Sequence, residues 1–173
     1  MLKNFSDLLT SRHALIAGAV GGAIALGDSL LGPVLAPVAE LGAAALTAWI
    51  GAKAVCDFAR ENGVEKQRAL EMASEATRDS YGAHLAHKTL DFACAASAGN
   101  PRAAKAAGAI AVHCVRAQAT SLVAHVLVGW SPPLFGGTRV VAASRAAFNA
   151  ANFVHAMESS VRVEFAEPLQ QAA

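Results

Sequence analysis

Residues 14–52 read ALIAGAVGGAIALGDSLLGPVLAPVAELGAAALTAWIGA, and the fold class is decided here. Only Asp28 and Glu40 carry charge in this stretch. The apolar mass is Ala, Val and Leu rather than rings. Ala loses no side-chain entropy in a helix, so such a composition favours helix over strand. Gly18 and Gly22 stand four apart, and Ala14 extends their line by one turn. This small-xxx-small spacing, a glycine-zipper pattern, lets two helix backbones touch. A glycine inside a helix costs roughly 1 kcal/mol against Ala. A run containing Gly18, Gly21, Gly22 and Gly27 therefore calls for a compensating close contact. Ala44, Ala48 and Ala52 draw a second small-residue line.

GDSLLGP at 27–33 separates the two lines. Gly27 closes the first helix, and Asp28 or Ser29 caps a following turn. Pro33 and Pro37 bar regular helix until about Pro37, so the second helix is expected from Val38 to Glu61. Asn62-Gly63 then stops it. The stretch also suits two membrane spans, 14–32 and 34–52, with the prolines in the bend and Arg12 and Lys53 flanking one side. Its Ala-based hydropathy is weak for a bilayer, and burial against protein is the competing expectation. The run 14–26 resembles the apolar region of a signal peptide. Asp7 lies among the preceding basic residues, however, and the segment is read as retained structure.

Outside this stretch the chain is conventional. Residues 3–12 form a short amphipathic segment with Phe5, Leu8 and Leu9 on one face. Residues 64–98 alternate charged with apolar positions at helical spacing, with Gly82 as a kink or break. Gly99-Asn100-Pro101 ends that helix and starts the next, with Asn100 as N-cap and Pro101 in the first turn. Residues 101–129 are apolar on most sides, which places that helix at the centre of a bundle. SPPLFGG at 131–137 is a break. A last helix is expected over 139–160, with Val140, Val141, Phe148, Ala151 and Val154 inward. In the tail 161–173, VRVEF alternates as a short strand does, and EPLQQAA reads as a loose end. The expectation is a single all-α domain over 1–173. It holds five to six helices: a hairpin over 1–62, a bundle over 64–160 and a tail.

Composition narrows the function classes. Hydrophobic residues make up 54% of the 173 and charged residues 16%, so the chain has ample surface to bury and is not a disordered one. The net charge of +1 with scattered basic residues gives no field to recruit nucleic acid. Cys56, Cys94 and Cys114 are odd in number and lack a CxxC, which fits reduced thiols in a reducing compartment, cytoplasmic or membrane-associated.

Candidate chemistry is sparse. His84 and His87 stand three apart with Asp91 one turn on, and His155 and Glu158 form a second such pair. Facing each other, the two pairs would make a bundle metal site. The HxxE order is, however, the reverse of the usual ExxH, and further inward glutamates are lacking. His113 and Cys114 are adjacent, so they point about 100° apart on a helix and cannot pair as base and nucleophile. GAVGG lacks the phosphate-loop spacing. FGGT at 135–138, near Arg139 and Arg145, reads as a turn with a Thr138 cap rather than an anion site. Trp49 and Trp130 are expected to fill the core.

No catalytic residue and no cofactor is assigned. The reading that follows is a non-enzymatic assembly subunit. Its segment 14–52 packs, through Ala14, Gly18, Gly22, Ala44, Ala48 and Ala52, with copies of itself, partner helices or a membrane. A soluble helical binding, immunity or adaptor protein is the alternative. A metal-dependent enzyme, built on His84, His87, His155 and Glu158, is the third.

Overall fold

Ser11 opens the first helix. Its hydroxyl accepts a hydrogen bond from the Ala14 backbone N–H at 3.0 Å, which satisfies one of the donors that a helix N-terminus leaves unpaired. From there a computed structural model, describing residues 10–28, 32–78, 84–128 and 136–171, gives six helices and no strand among the described residues. They are α1 (Arg12–Asp28), α2 (Gly32–Glu61), α3 (Lys66–Ala76), α4 (His84–Ser97), α5 (Arg102–Val128) and α6 (Gly136–Gln171). The chain is an all-α helical bundle.

Two of the boundaries are set by left-handed glycines. Gly63 has φ +65°, and the Val64 N–H reaches back to the Ala59 carbonyl at 2.9 Å. Gly99 has φ +64°, and the Asn100 N–H bonds the Ala95 carbonyl at 2.8 Å. Both are the glycine-terminated closure that satisfies the last carbonyls of a helix. Asn100 then accepts from the Arg102 N–H at 3.0 Å and so caps α5.

α2 is the hub, in contact with all five other helices. Its inner face carries Ala48, Ile50, Val55 and Ala59 into a core shared with Phe153, Val154, Met157 and Val161 of α6 and Leu90 of α4. Gly51 leaves room for the Met157 thioether, which a Cβ at that position would strike. α1 packs chiefly on α6 and then on α2.

Four expectations are corrected. The second helix begins at Gly32, not Val38. Pro33 sits in the first turn, where no amide donor is needed, and Pro37 forgoes a single backbone bond. The central helix is α2 rather than 101–129. Between Arg102 and Arg116 only Ala106 is buried, because α5 packs on just one side, against α4 and α2. The last helix continues through the tail to Gln171, and Val161 is completely buried in the core. VRVEF is therefore helical: core contact at Val161 and Phe165 outweighs a five-residue alternation. Finally, Val140, Val141 and Phe148 are exposed, whereas Val154 is buried and Ala151 half-buried. The inward positions of that half of α6 are instead small ones, Ala143 and Ala150 among them. Phe5, Leu8 and Leu9, Gly82, Trp130 and the turn at 131–135 lie outside the described residues.

Candidate functional site

The N-terminal hairpin has an inner and an outer side of different character. On the inner side, α1 meets α6 almost backbone to backbone. A Cβ at Gly18 would lie 3.2 Å from the Ala147 carbonyl oxygen. One at Gly22 would lie 3.2 Å from the Ala147 Cβ. Gly21, off the expected line, is as tight: its Cβ would meet Ala150 Cβ at 3.0 Å and the Ala146 carbonyl oxygen at 3.2 Å. Ala14 and Ala17 are completely buried on the same side. On α2, Ala44 and Ala48 are buried and Ala52 is half-buried against the core.

A polar cluster pins the open end of this contact. Glu158 of α6 is 8% exposed and accepts from the Ser11 hydroxyl. Its other oxygen lies 3.0 Å from His13 Nδ1. A carboxylate only accepts, so that nitrogen carries the proton. Serine, histidine and an acid are thus together, but their wiring is not that of a hydrolase. The serine donates to the carboxylate rather than to the imidazole, and its oxygen is engaged by the Ala14 N–H. The arrangement orients α1 on α6. Nearby, on the solvent side, Asp57 bridges Lys53 at 2.7 Å and Arg60 at 3.1 Å. The Lys53 hydrogen bond, followed by neighbouring positive charge, holds the Asp57 carboxyl below its usual range.

The four candidate metal ligands do not converge. His84 is exposed. His87, three residues on, is buried, with Nδ1 3.2 Å from the Thr77 hydroxyl at the end of α3. His155 contacts the Ser159 hydroxyl at 3.3 Å, and Glu158 is taken by Ser11 and His13. Among the described residues no three His, Cys, Asp or Glu side chains gather as a ligand set. Spacing of i and i+3 puts each pair on neighbouring positions of one helix, but His84 is exposed where His87 is buried, and His155 is half-buried where Glu158 is buried. Cys56, Cys94 and Cys114 are free and half-buried. Burial raises the thiol pKa of Cys56 and of Cys94.

The outer side of α2 is what the core does not use. Leu35, Val38, Leu46 and Trp49 are all exposed, Trp49 by 63%. Trp49 therefore does not fill the core: at its position on the helix it points opposite the buried face. Gly42 sits mid-stripe, and a Cβ there would meet nothing within 4 Å. Around Gly42 the pattern is symmetric. Val38 and Leu46 lie four residues to either side, and Leu35 and Trp49 seven. From Leu35 to Trp49 the stripe runs about 21 Å, at 1.5 Å per residue, and the exposed Lys53 follows one turn on. Val38–Glu61 is also the one helical segment, among the described residues, long and apolar enough to cross a membrane by length and composition, with 39% of its most apolar window buried. Exposed Leu15, Ile16 and Leu26 add apolar surface on α1.

Comparison of the chain with protein-family models, with curated proteins and with solved structures finds no match, so the site's meaning rests on its own geometry.

Proposed function

We propose that this protein is a non-enzymatic helical assembly subunit that joins a second copy of itself through the outer face of α2. The observation that carries this reading is Gly42. Gly18, Gly21, Gly22 and Gly51 each abut another helix, which accounts for them. Gly42, like Gly108 of α5, has open space instead, in the middle of a helix where glycine is costly, but Gly42 sits at the centre of a stripe of exposed Leu35, Val38, Leu46 and Trp49. Close approach of a further helix would account for it as well.

The symmetry of the stripe argues for a copy of the same chain. Two α2 helices crossing antiparallel at Gly42 would set Trp49 of each beside Leu35 of the other, and Leu46 beside Val38. Such a face is complementary to itself, as a two-fold interface requires. An uncharged centre with a tryptophan anchor and a lysine at the rim is the usual anatomy of an interface. The inner glycines and alanines have a different part in this reading: they hold α1 on α6 and so fix the platform from which α2 presents its face.

The test is mass in solution without detergent. Light scattering behind a sizing column should give twice the 17.6 kDa chain mass. Gly42→Leu should return it to the single-chain value while far-UV circular dichroism stays unchanged. A wild-type monomer at tens of micromolar, with residues 35–49 already protected from hydrogen exchange, would overturn the proposal. So would a chain that stays monomeric in buffer yet co-sediments with phosphatidylcholine vesicles, since the face would then be one for lipid.

A further inference from the structure

On the opposite side of α2 from the Gly42 stripe lies a cavity of about 450 Å³ between α1, α2, α4 and α6, with α5 at its edge. The size is within the range of small-molecule sites, which in helical bundles form between helices. Its walls are apolar, from Ile24 of α1, Ala43 of α2, Leu85 of α4 and Phe153 of α6. Polar side chains reach the same space from four helices: Glu40 and Thr47 of α2, His84 of α4, His113 of α5 and Asn149 of α6.

Thr47 is the telling one. It is only 4% exposed, yet its hydroxyl has no hydrogen-bond partner among the described residues. Thr77 and Thr89, elsewhere in the bundle, turn back onto carbonyls of their own preceding turn, at 3.0 and 2.8 Å. Buried hydroxyls are nearly always paired, because leaving one unmade forfeits its hydration without return. Asn149 and His113, both half-buried, likewise have no protein partner among the described residues. Donors and acceptors thus converge on an apolar chamber without bonding one another.

We infer that this cavity is a binding site for a compact, uncharged ring compound bearing a hydroxyl group, of the phenol or naphthol class. The walls supply apolar contact for a ring. A hydroxyl both donates and accepts, and so satisfies Thr47 and the Asn149 amide together. Apolar walls disfavour a charged ligand, because an ion here would give up its hydration for few polar contacts. The inference is independent of the assembly proposal, because the cavity and the Gly42 stripe occupy opposite faces of α2.

The probes are 2-naphthol and naphthalene, titrated into the full chain by calorimetry. 2-Naphthol should saturate at one site per chain and bind more tightly than naphthalene. Thr47→Val keeps the side chain's shape and removes the hydroxyl; it should weaken 2-naphthol about tenfold and leave naphthalene unchanged. Ala43→Leu fills the chamber and should abolish both, with circular dichroism and melting temperature retained. Absence of saturable 2-naphthol binding to the wild type would overturn the inference. So would binding that survives Ala43→Leu, or that is indifferent to Thr47→Val.

Discussion

At the residue scale, glycines in this protein divide by what a methyl group would meet. At Gly21 it would be wedged against Ala150 Cβ at 3.0 Å and a backbone carbonyl at 3.2 Å, neither of which can swing aside. Gly108 of α5 has nothing within 4 Å. Gly21→Ala is therefore expected to destabilise, by about 1–3 kcal/mol of overpacking less the helix-propensity gain. Gly108→Ala should stabilise by up to about 1 kcal/mol. Urea unfolding followed by circular dichroism separates the two signs. Glu158 is the second decisive residue. Glu158→Ala leaves the Ser11 hydroxyl and the His13 N–H without their acceptor, and a loss of about 1–3 kcal/mol is expected. An unchanged urea midpoint would show that the cluster is dispensable. The four-residue spacing of Gly18 and Gly22 stands in the sequence, but that a Cβ at either would meet Ala147 of α6 does not. The roles of Ser11 and His13 were not legible there either, because their partner lies 147 and 145 residues away.

At the element scale, α6 is the longest helix and the one on which sequence periodicity was least informative. Its first half offers α1 a row of alanines, and its second half inserts Phe153, Met157 and Val161 into the core. A helix whose buried face changes from small to large residues along its length has no uniform stripe to read. The tail followed the same logic. VRVEF fits a strand and a helix equally over five residues, and the core contact at Val161 decided the matter. Val161→Asp should thus behave as a core lesion. It buries an unpaired carboxylate, with a loss of about 3 kcal/mol or more. A melting temperature within a degree or two of wild type would mean that the end of α6 does not belong to the core.

At the scale of the whole molecule, stability should depend on pH through His87. Burial lowers its pKa from the ordinary value of 6.5, Lys88 lowers it further, and Asp91 opposes them, with Arg78 and His84 adding small positive fields. Below pH 6.5 the unfolded chain binds a proton at this position that the folded chain resists. The contribution of His87 is therefore fully present above pH 6.5 and is lost as pH falls through its folded value. The melting temperature should decline between pH 7 and pH 5, and His87→Gln, which retains a hydrogen-bonding group toward Thr77, should flatten that decline. Equal slopes for wild type and variant would place the acid sensitivity elsewhere.

What the amino-acid sequence determined by itself was local. It contained the helical class, the glycine stops at Gly63 and Gly99, the Asn100 cap and the small-residue line on α1. Each follows from propensity, from a φ that only glycine takes readily, or from a repeat of about four residues. What only the tertiary structure decided was which face of each helix met which neighbour. The Gly18 line and the Gly42 stripe look alike on paper, each a glycine within an apolar run. Packing buries one against α6 and leaves the other open. His84 and His87 share a helical face by spacing, yet the edge of the bundle passes between them. Burial is a property of the neighbours a residue acquires, and those neighbours come from distant parts of the chain.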